Sequence, residues 1–192
     1  IGAVIIMERG LITRDWSLAY VQKVGSKHTP ALFNFTALWS ALEGSILLWL
    51  LLLAMYLAIV LRRYRERLTD PLVSWAVVTM FAVTAFFFFL SLGPTDAFRQ
   101  GVTPANFDTC CTGPNPLLQN HVLVLFHPPI LYLGFVGFTV PFAFAIGALV
   151  TGREGTVALA LPAVVLALLG CAMLVLDPRR TLGSVLIVTV CL

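Results

Sequence analysis

Charged side chains are scarce in this sequence. They make up 11% of the 192 residues, against about 25% in an ordinary soluble domain. With 59% of residues hydrophobic, too little polar side chain remains to cover a water-facing surface, which excludes a soluble globular domain and points to the membrane. The net charge of +3 says little by itself, because the placement of the basic residues is what sets orientation; no nucleic-acid partner is expected. Cysteine is also sparse. Cys110, Cys111, Cys171 and Cys191 form no CxxC pair and no Cys/His spacing suited to zinc or an iron–sulfur cluster. No basic stretch leads into an apolar run with a cleavage site, so no signal peptide is expected. Tryptophan is absent after Trp75.

Long apolar runs are what the sequence has instead. Gly44–Leu61 carries no charge and is followed at once by RRYRER, Arg62 to Arg67. A second run, Leu72–Leu92, includes four consecutive phenylalanines, Phe86 to Phe89, which read as lipid-facing bulk with one face a further candidate for cofactor contact. A third covers about 130–150 and a fourth Val157–Leu176. About 20 apolar residues suffice to cross a hydrocarbon core as a helix, and the alternation of a membrane barrel strand is absent. The expected fold is therefore all-α, a polytopic transmembrane helical bundle. The short runs Ile1–Met7 and Thr181–Leu192 read as partial spans, so the bundle is expected to be truncated at both ends. Four arginines and one glutamate between the first two full spans place that loop in the cytoplasm by the positive-inside rule. The segment 93–121, rich in proline and glycine, then lies outside. Asp177-Pro178-Arg179-Arg180 runs against this charge pattern. Residues 10–43 read as a loop leading into an interfacial stretch, with Trp16, Tyr20 and Trp39 suited to the headgroup zone.

The segment Asn115–Phe138, NPLLQNHVLVLFHPPILYLGFVGF, is the most informative. A residue before proline is pushed out of helical geometry, and proline is tolerated in a first helical turn. His127, before Pro128 and Pro129, is thus expected just outside a helix starting near Pro129, at the outer membrane boundary. An imidazole held there is a candidate haem-iron ligand; the plainer alternative is an interfacial histidine bonded to a carbonyl. Glu43 opens the first full span. An ionisable residue at a span edge is a candidate functional group, and equally a carboxylate favoured by the helix dipole. His121 reads as a solvated loop residue, and His28 has no assigned role. Cys110 and Cys111 lie in the outer loop as free thiols or with partners elsewhere, since a bridge between neighbours is strained. No ionisable residue sits in the middle of a full span, which weighs against a transporter fragment. A structural membrane subunit without cofactor is the other competing class.

NPLLQ, then FHPPILYLGFVGF, then VPFAFAIGALVTGR resemble the matching stretch of the CcmF/NrfE-type cytochrome c maturation haem lyases. Upstream, DWSLAYV (Asp15–Val21) and ALWSALEGSILLW (Ala37–Trp49) resemble that family's segments in the same order. The resemblance makes residues 1–155 a CcmF-like N-terminal transmembrane region, with spans at about 44–61, 72–92 and 130–150 and an outer loop 93–121. Residues 156–192 form a divergent transmembrane stretch that lacks the family's tryptophan-rich WWD segment. In the family, the histidine before two prolines is a periplasmic axial ligand of a membrane-bound haem. The resemblance therefore implies His127 as an iron ligand of haem b at the outer face, and Glu43 as a shared carboxylate that could contribute to the cofactor site. It implies haem delivery and thioether attachment to apocytochrome c in cytochrome c biogenesis by the full-length protein, with this stretch inactive alone. It further implies a bacterial inner-membrane location, a haem site facing the periplasm, and a haem chaperone and a thioredoxin-like subunit as partners.

Overall fold

The computed structural model describes residues 1–27, 29–102, 113 and 122–153. The calls on His28, His121, Cys110, Cys111, Cys171, Cys191 and the fourth span fall outside the described residues. Among the described residues the architecture is helical without strands, and two classes of helix divide the work.

Three helices are long and apolar enough to cross a bilayer. Helix α4 runs Leu42–Arg63 and α5 runs Pro71–Leu92. Helices α6 (Leu123–Gly137) and α7 (Thr139–Thr151) continue one another through Phe138, whose backbone stays near helical geometry. Together they make a 29-residue crossing, about 43 Å long at 1.5 Å per residue. The chain is a membrane protein.

The shorter helices come first. Helix α1 (Gly2–Thr13) continues past Glu8 and Arg9, where the hydrophobic pattern stops, because both residues are good helix formers. It ends where Arg14 turns left-handed and its N–H returns to the Gly10 and Leu11 carbonyls. Helices α2 (Ala19–Val24) and α3 (Ala31–Thr36) follow, with a 3-10 turn at Ala37–Trp39. The stretch expected as a loop is thus largely helical. Its apolar residues Met7, Leu11, Tyr20, Val21, Val24, Leu38 and Trp39 bury one another and Leu47 of α4. The chain after α5 returns to this cap: the Ala19 N–H donates to the Arg99 carbonyl and the Gly101 N–H to the Ser17 carbonyl.

In the bundle, α5 packs most extensively against α7, then against α4. Small residues make this possible. Ala76, Ala143 and Ala148 are fully buried, and a Cβ added at Gly147 would sit 2.5 Å from the Leu72 carbonyl oxygen. Lipid tails are as apolar as leucine, so membrane helices gain by close backbone approach rather than by the hydrophobic effect. The far side of α5 is turned outward, with Phe86, Phe88 and Phe89 all more than half exposed, while Phe87 packs on Trp49 of α4.

The end of the bundle that carries the arginines is closed by one ion pair. Asp70 caps α5 by accepting the Leu72 N–H at 3.1 Å, with Pro71 in the first turn. Its carboxylate also meets Arg153, just past α7, at 3.1 Å. This fixes the start of α5 beside the end of α7, so the two helices run antiparallel.

Two outcomes are expected. Gly147→Val pushes α7 off the Leu72 backbone and should destabilise the protein by about 1–3 kcal/mol, read as a lower unfolding midpoint in detergent; an unchanged midpoint would refute the close-approach argument. The Arg153 hydrogen bond, together with the Leu72 N–H, holds the Asp70 carboxyl below the usual aspartate range. A depressed folded value means the stabilisation is complete above the ordinary value and lost as pH falls through the lowered one. The midpoint should therefore decline below about pH 4, and Asp70→Asn should remove that part of the decline.

Candidate functional site

At the end of the bundle opposite the arginines, the site is built on the segment Ala37–Ser45. The 3-10 turn passes through Ser40 into an extended Ala41, and α4 begins at Leu42. The buried Tyr20 hydroxyl lies 2.8 Å from both the Ala37 and Leu38 carbonyl oxygens and shares its proton between them. Burial pushes this hydroxyl well above the ordinary tyrosine value, so it stays a donor. Gly44 passes directly beneath the pair: a Cβ there would collide with the Leu38 carbonyl and the Tyr20 hydroxyl. The sequence GS after Glu43 is thus a requirement for close approach.

Glu43 stands in the first turn of α4 and binds the Lys23 ammonium through both carboxylate oxygens, at 2.8 and 3.0 Å. Lys23 comes from the last turn of α2, a partner that sequence spacing alone does not reveal. The arrangement is an anchor between the cap and the first span.

Trp39 and Tyr20 depart from the headgroup-zone expectation. Both are buried, at 8% and 3% exposure, because each has found a backbone carbonyl for its polar atom. The Trp39 indole N–H donates to the Val124 carbonyl of α6 at 2.8 Å, and its ring meets Phe35 edge-on at 5.4 Å. Two further side chains tie α6 to α4. The Ser45 hydroxyl donates to the Trp39 carbonyl at 3.2 Å and lies 3.1 Å from the Tyr132 hydroxyl. The Tyr56 hydroxyl donates to the Leu133 carbonyl at 2.9 Å.

His127 does not precede its helix. Helix α6 starts at Leu123, seven residues before the expected start of the third span at 130, and Pro128 and Pro129 lie inside it. His127 is helical despite the steric bias of a pre-proline residue, and the intrahelical donor that Pro128 removes is replaced from outside the helix. In an α-helix the N–H of residue 128 would serve the Val124 carbonyl; proline has none, and Trp39 supplies it.

The imidazole stands on an exposed face of α6. Leu123 and Ile130 flank it at helical spacing, 62% and 55% exposed, and Gly134, one turn further, has open space where a Cβ would be. No hydrogen bond joins the imidazole to any described residue, and no group of three His, Cys, Asp or Glu side chains forms among them. An unpartnered imidazole with apolar neighbours and open space along one helix face leaves room for a flat, largely apolar group. It does not suit a zinc or calcium cage, which needs several protein ligands.

These features define a polytopic membrane protein with a proline-containing helix that presents a histidine at one bilayer surface. The family model for cytochrome c assembly proteins matches residues 39–177, and the chain belongs to that family. It is 34% identical over 152 residues to the cytochrome c-type biogenesis protein CcmF of Escherichia coli K12, covering 79% of this chain and 23% of that protein. It is 36% identical over 142 residues to CycK of Rhizobium meliloti, covering 74% and 20%, and 33% identical to NrfE of Haemophilus influenzae, covering 73% and 21%. A solved structure of the cytochrome c haem lyase CcmF superposes with a TM-score of 0.62 at 34% identity, over 79% of this chain and 22% of that one. The chain spans about a fifth of the length of these relatives.

Gly44→Ala tests the cap geometry. It should separate the Tyr20 hydroxyl from the Leu38 carbonyl, lower stability by about 1–3 kcal/mol and speed tryptic cleavage at Lys23. Cleavage at the natural rate with an unchanged midpoint would show that the cap yields without cost.

Proposed function

We propose that the chain is the haem-holding N-terminal part of a cytochrome c maturation haem lyase, and that His127 is an axial ligand of haem b there. The observation that carries this reading is the placement of His127: its imidazole has no partner among the described residues and stands on an open apolar helix face. When bound, haem supplies vinyl groups able to accept the cysteine thiols of an apocytochrome CxxCH motif. The chain's contribution would be to hold the iron through His127 on the rigid start of α6 and to tune its potential through ligand and burial. Glu43, committed to Lys23, serves the site by anchoring the cap from which Trp39 and Ser45 reach α6.

Charge supports an orientation. Arg62, Arg63, Arg65, Arg67 and Arg153 gather at the end of the bundle opposite Trp39 and Val124. By the positive-inside rule that end would face the cytoplasm and His127 the outer face, and the likeness to bacterial cytochrome c biogenesis proteins supports a bacterial inner membrane. Apocytochrome c would be met there, together with a haem chaperone and a thioredoxin-like subunit of the maturation system.

The test is His127→Ala in the natural protein in its own membrane. Loss of most bound haem and of holocytochrome c, with protein abundance unchanged, is expected. A natural haem spectrum and cytochrome yield would rule out the ligand and favour a structural subunit without cofactor. Solute flux through liposomes carrying the protein would favour a transporter.

A further inference from the structure

Proline inside a membrane helix leaves a carbonyl without its donor. Water is not available in hydrocarbon to replace that donor, so protein groups must. In α6, Pro128 and Pro129 remove the donors to the Val124 and Leu125 carbonyls, and the donor that fills the first of these gaps, one turn before His127, comes from outside the helix. Trp39 is buried, its ring is held edge-on by Phe35, and its own carbonyl is held by Ser45. Ser45 in turn touches Tyr132, five residues beyond His127. The one short segment Trp39–Ser45 therefore grips α6 on both sides of His127, at Val124 and at Tyr132.

We infer that Trp39 is a positioning residue for His127: its indole N–H stands in for the backbone donor that Pro128 removes, and so fixes the turn from which the imidazole projects. The inference rests on the reading of His127 as a haem ligand. A normal helix at this point would need no tryptophan. The substitution of an external donor for an internal one couples the start of α6 to the lead-in of α4, so the imidazole's direction is set by the contact between two spans rather than by α6 alone. At metal sites, groups that orient a ligand influence affinity about as strongly as 10–100-fold.

The experiment is a double-mutant cycle in the natural protein, purified from its membrane with its haem. Trp39→Phe keeps the ring and removes the N–H. Pro128→Ala returns a backbone N–H to α6 and gives the Val124 carbonyl an intrahelical donor. Three quantities are read: the haem midpoint potential, haem retention, and hydrogen exchange of the amides at the start of α6, the last with and without haem. Trp39→Phe should shift the potential, lower haem retention about tenfold and speed exchange. In the Pro128→Ala background the same substitution should have little effect on any of the three. Equal effects in both backgrounds, or no effect in either, would overturn the inference. If Trp39→Phe alone fails to accumulate, accumulation of the double variant supports the inference, and failure of both counts against it. His127→Ala separates the two readings. Haem lost in His127→Ala but untouched in Trp39→Phe refutes the positioning role alone; haem retained in His127→Ala removes the ligand assignment on which it rests.

Discussion

Within a bilayer every backbone carbonyl must find a donor in the protein, and this constraint organises the half of the molecule opposite the arginines. Pro128 breaks the hydrogen-bond ladder of α6 at Val124. The repair requires an indole N–H at one place, 2.8 Å away, and therefore a tryptophan carried on a segment that reaches α6. That segment must itself be rigid. The Tyr20 hydroxyl holds the Ala37 and Leu38 carbonyls, Gly44 lets α4 start directly beneath them, and Lys23 with Glu43 ties the assembly to α2. Each of these features is intelligible as a condition for placing one donor.

The opposite half obeys a different rule. Helices α5 and α7 have no polar repair to make and approach through Ala76, Ala143, Gly147 and Ala148 until the backbone at Gly147 lies against that of Leu72 and Ala76. Van der Waals contact over a smooth surface gives affinity but little register. The Asp70–Arg153 pair at the arginine-rich end supplies a fixed point, although an exposed pair contributes modestly to stability. The crossing α6–α7 is thus pinned by hydrogen bonds at its α6 end and by small-residue packing and the Asp70–Arg153 pair at its α7 end.

The helical membrane class was legible from composition and run length, because hydrocarbon solvation acts on every residue of a span at once. The cap was not. Residues 10–43 lack a long apolar run, and their helices are short, so their stability comes from Met7, Leu11, Tyr20 and Trp39 burying one another across the chain, a tertiary effect with no local periodicity. The same reason explains why Trp39 and Tyr20 read as interfacial. Amphipathic rings suit a headgroup zone, and only the structure reveals that their polar atoms are spoken for by buried carbonyls. His127 was legible as a candidate from its prolines, but its position relative to the helix was not. The local rules for pre-proline geometry are correct as biases, and they are overridden here in a helix whose lost donor is supplied from 85 positions away in sequence.

That His127 lies within a helix changes what it can do. A ligand in a loop adjusts to its metal, whereas one on a helix imposes its direction, limited to a few rotamers. Around it the face of α6 is apolar, with Leu123 and Ile130 exposed and Gly134 flat. The imidazole is exposed and without a partner among the described residues, so the helix rather than a side-chain contact sets its direction, and the open position at Gly134 leaves room for a broad group close to the helix.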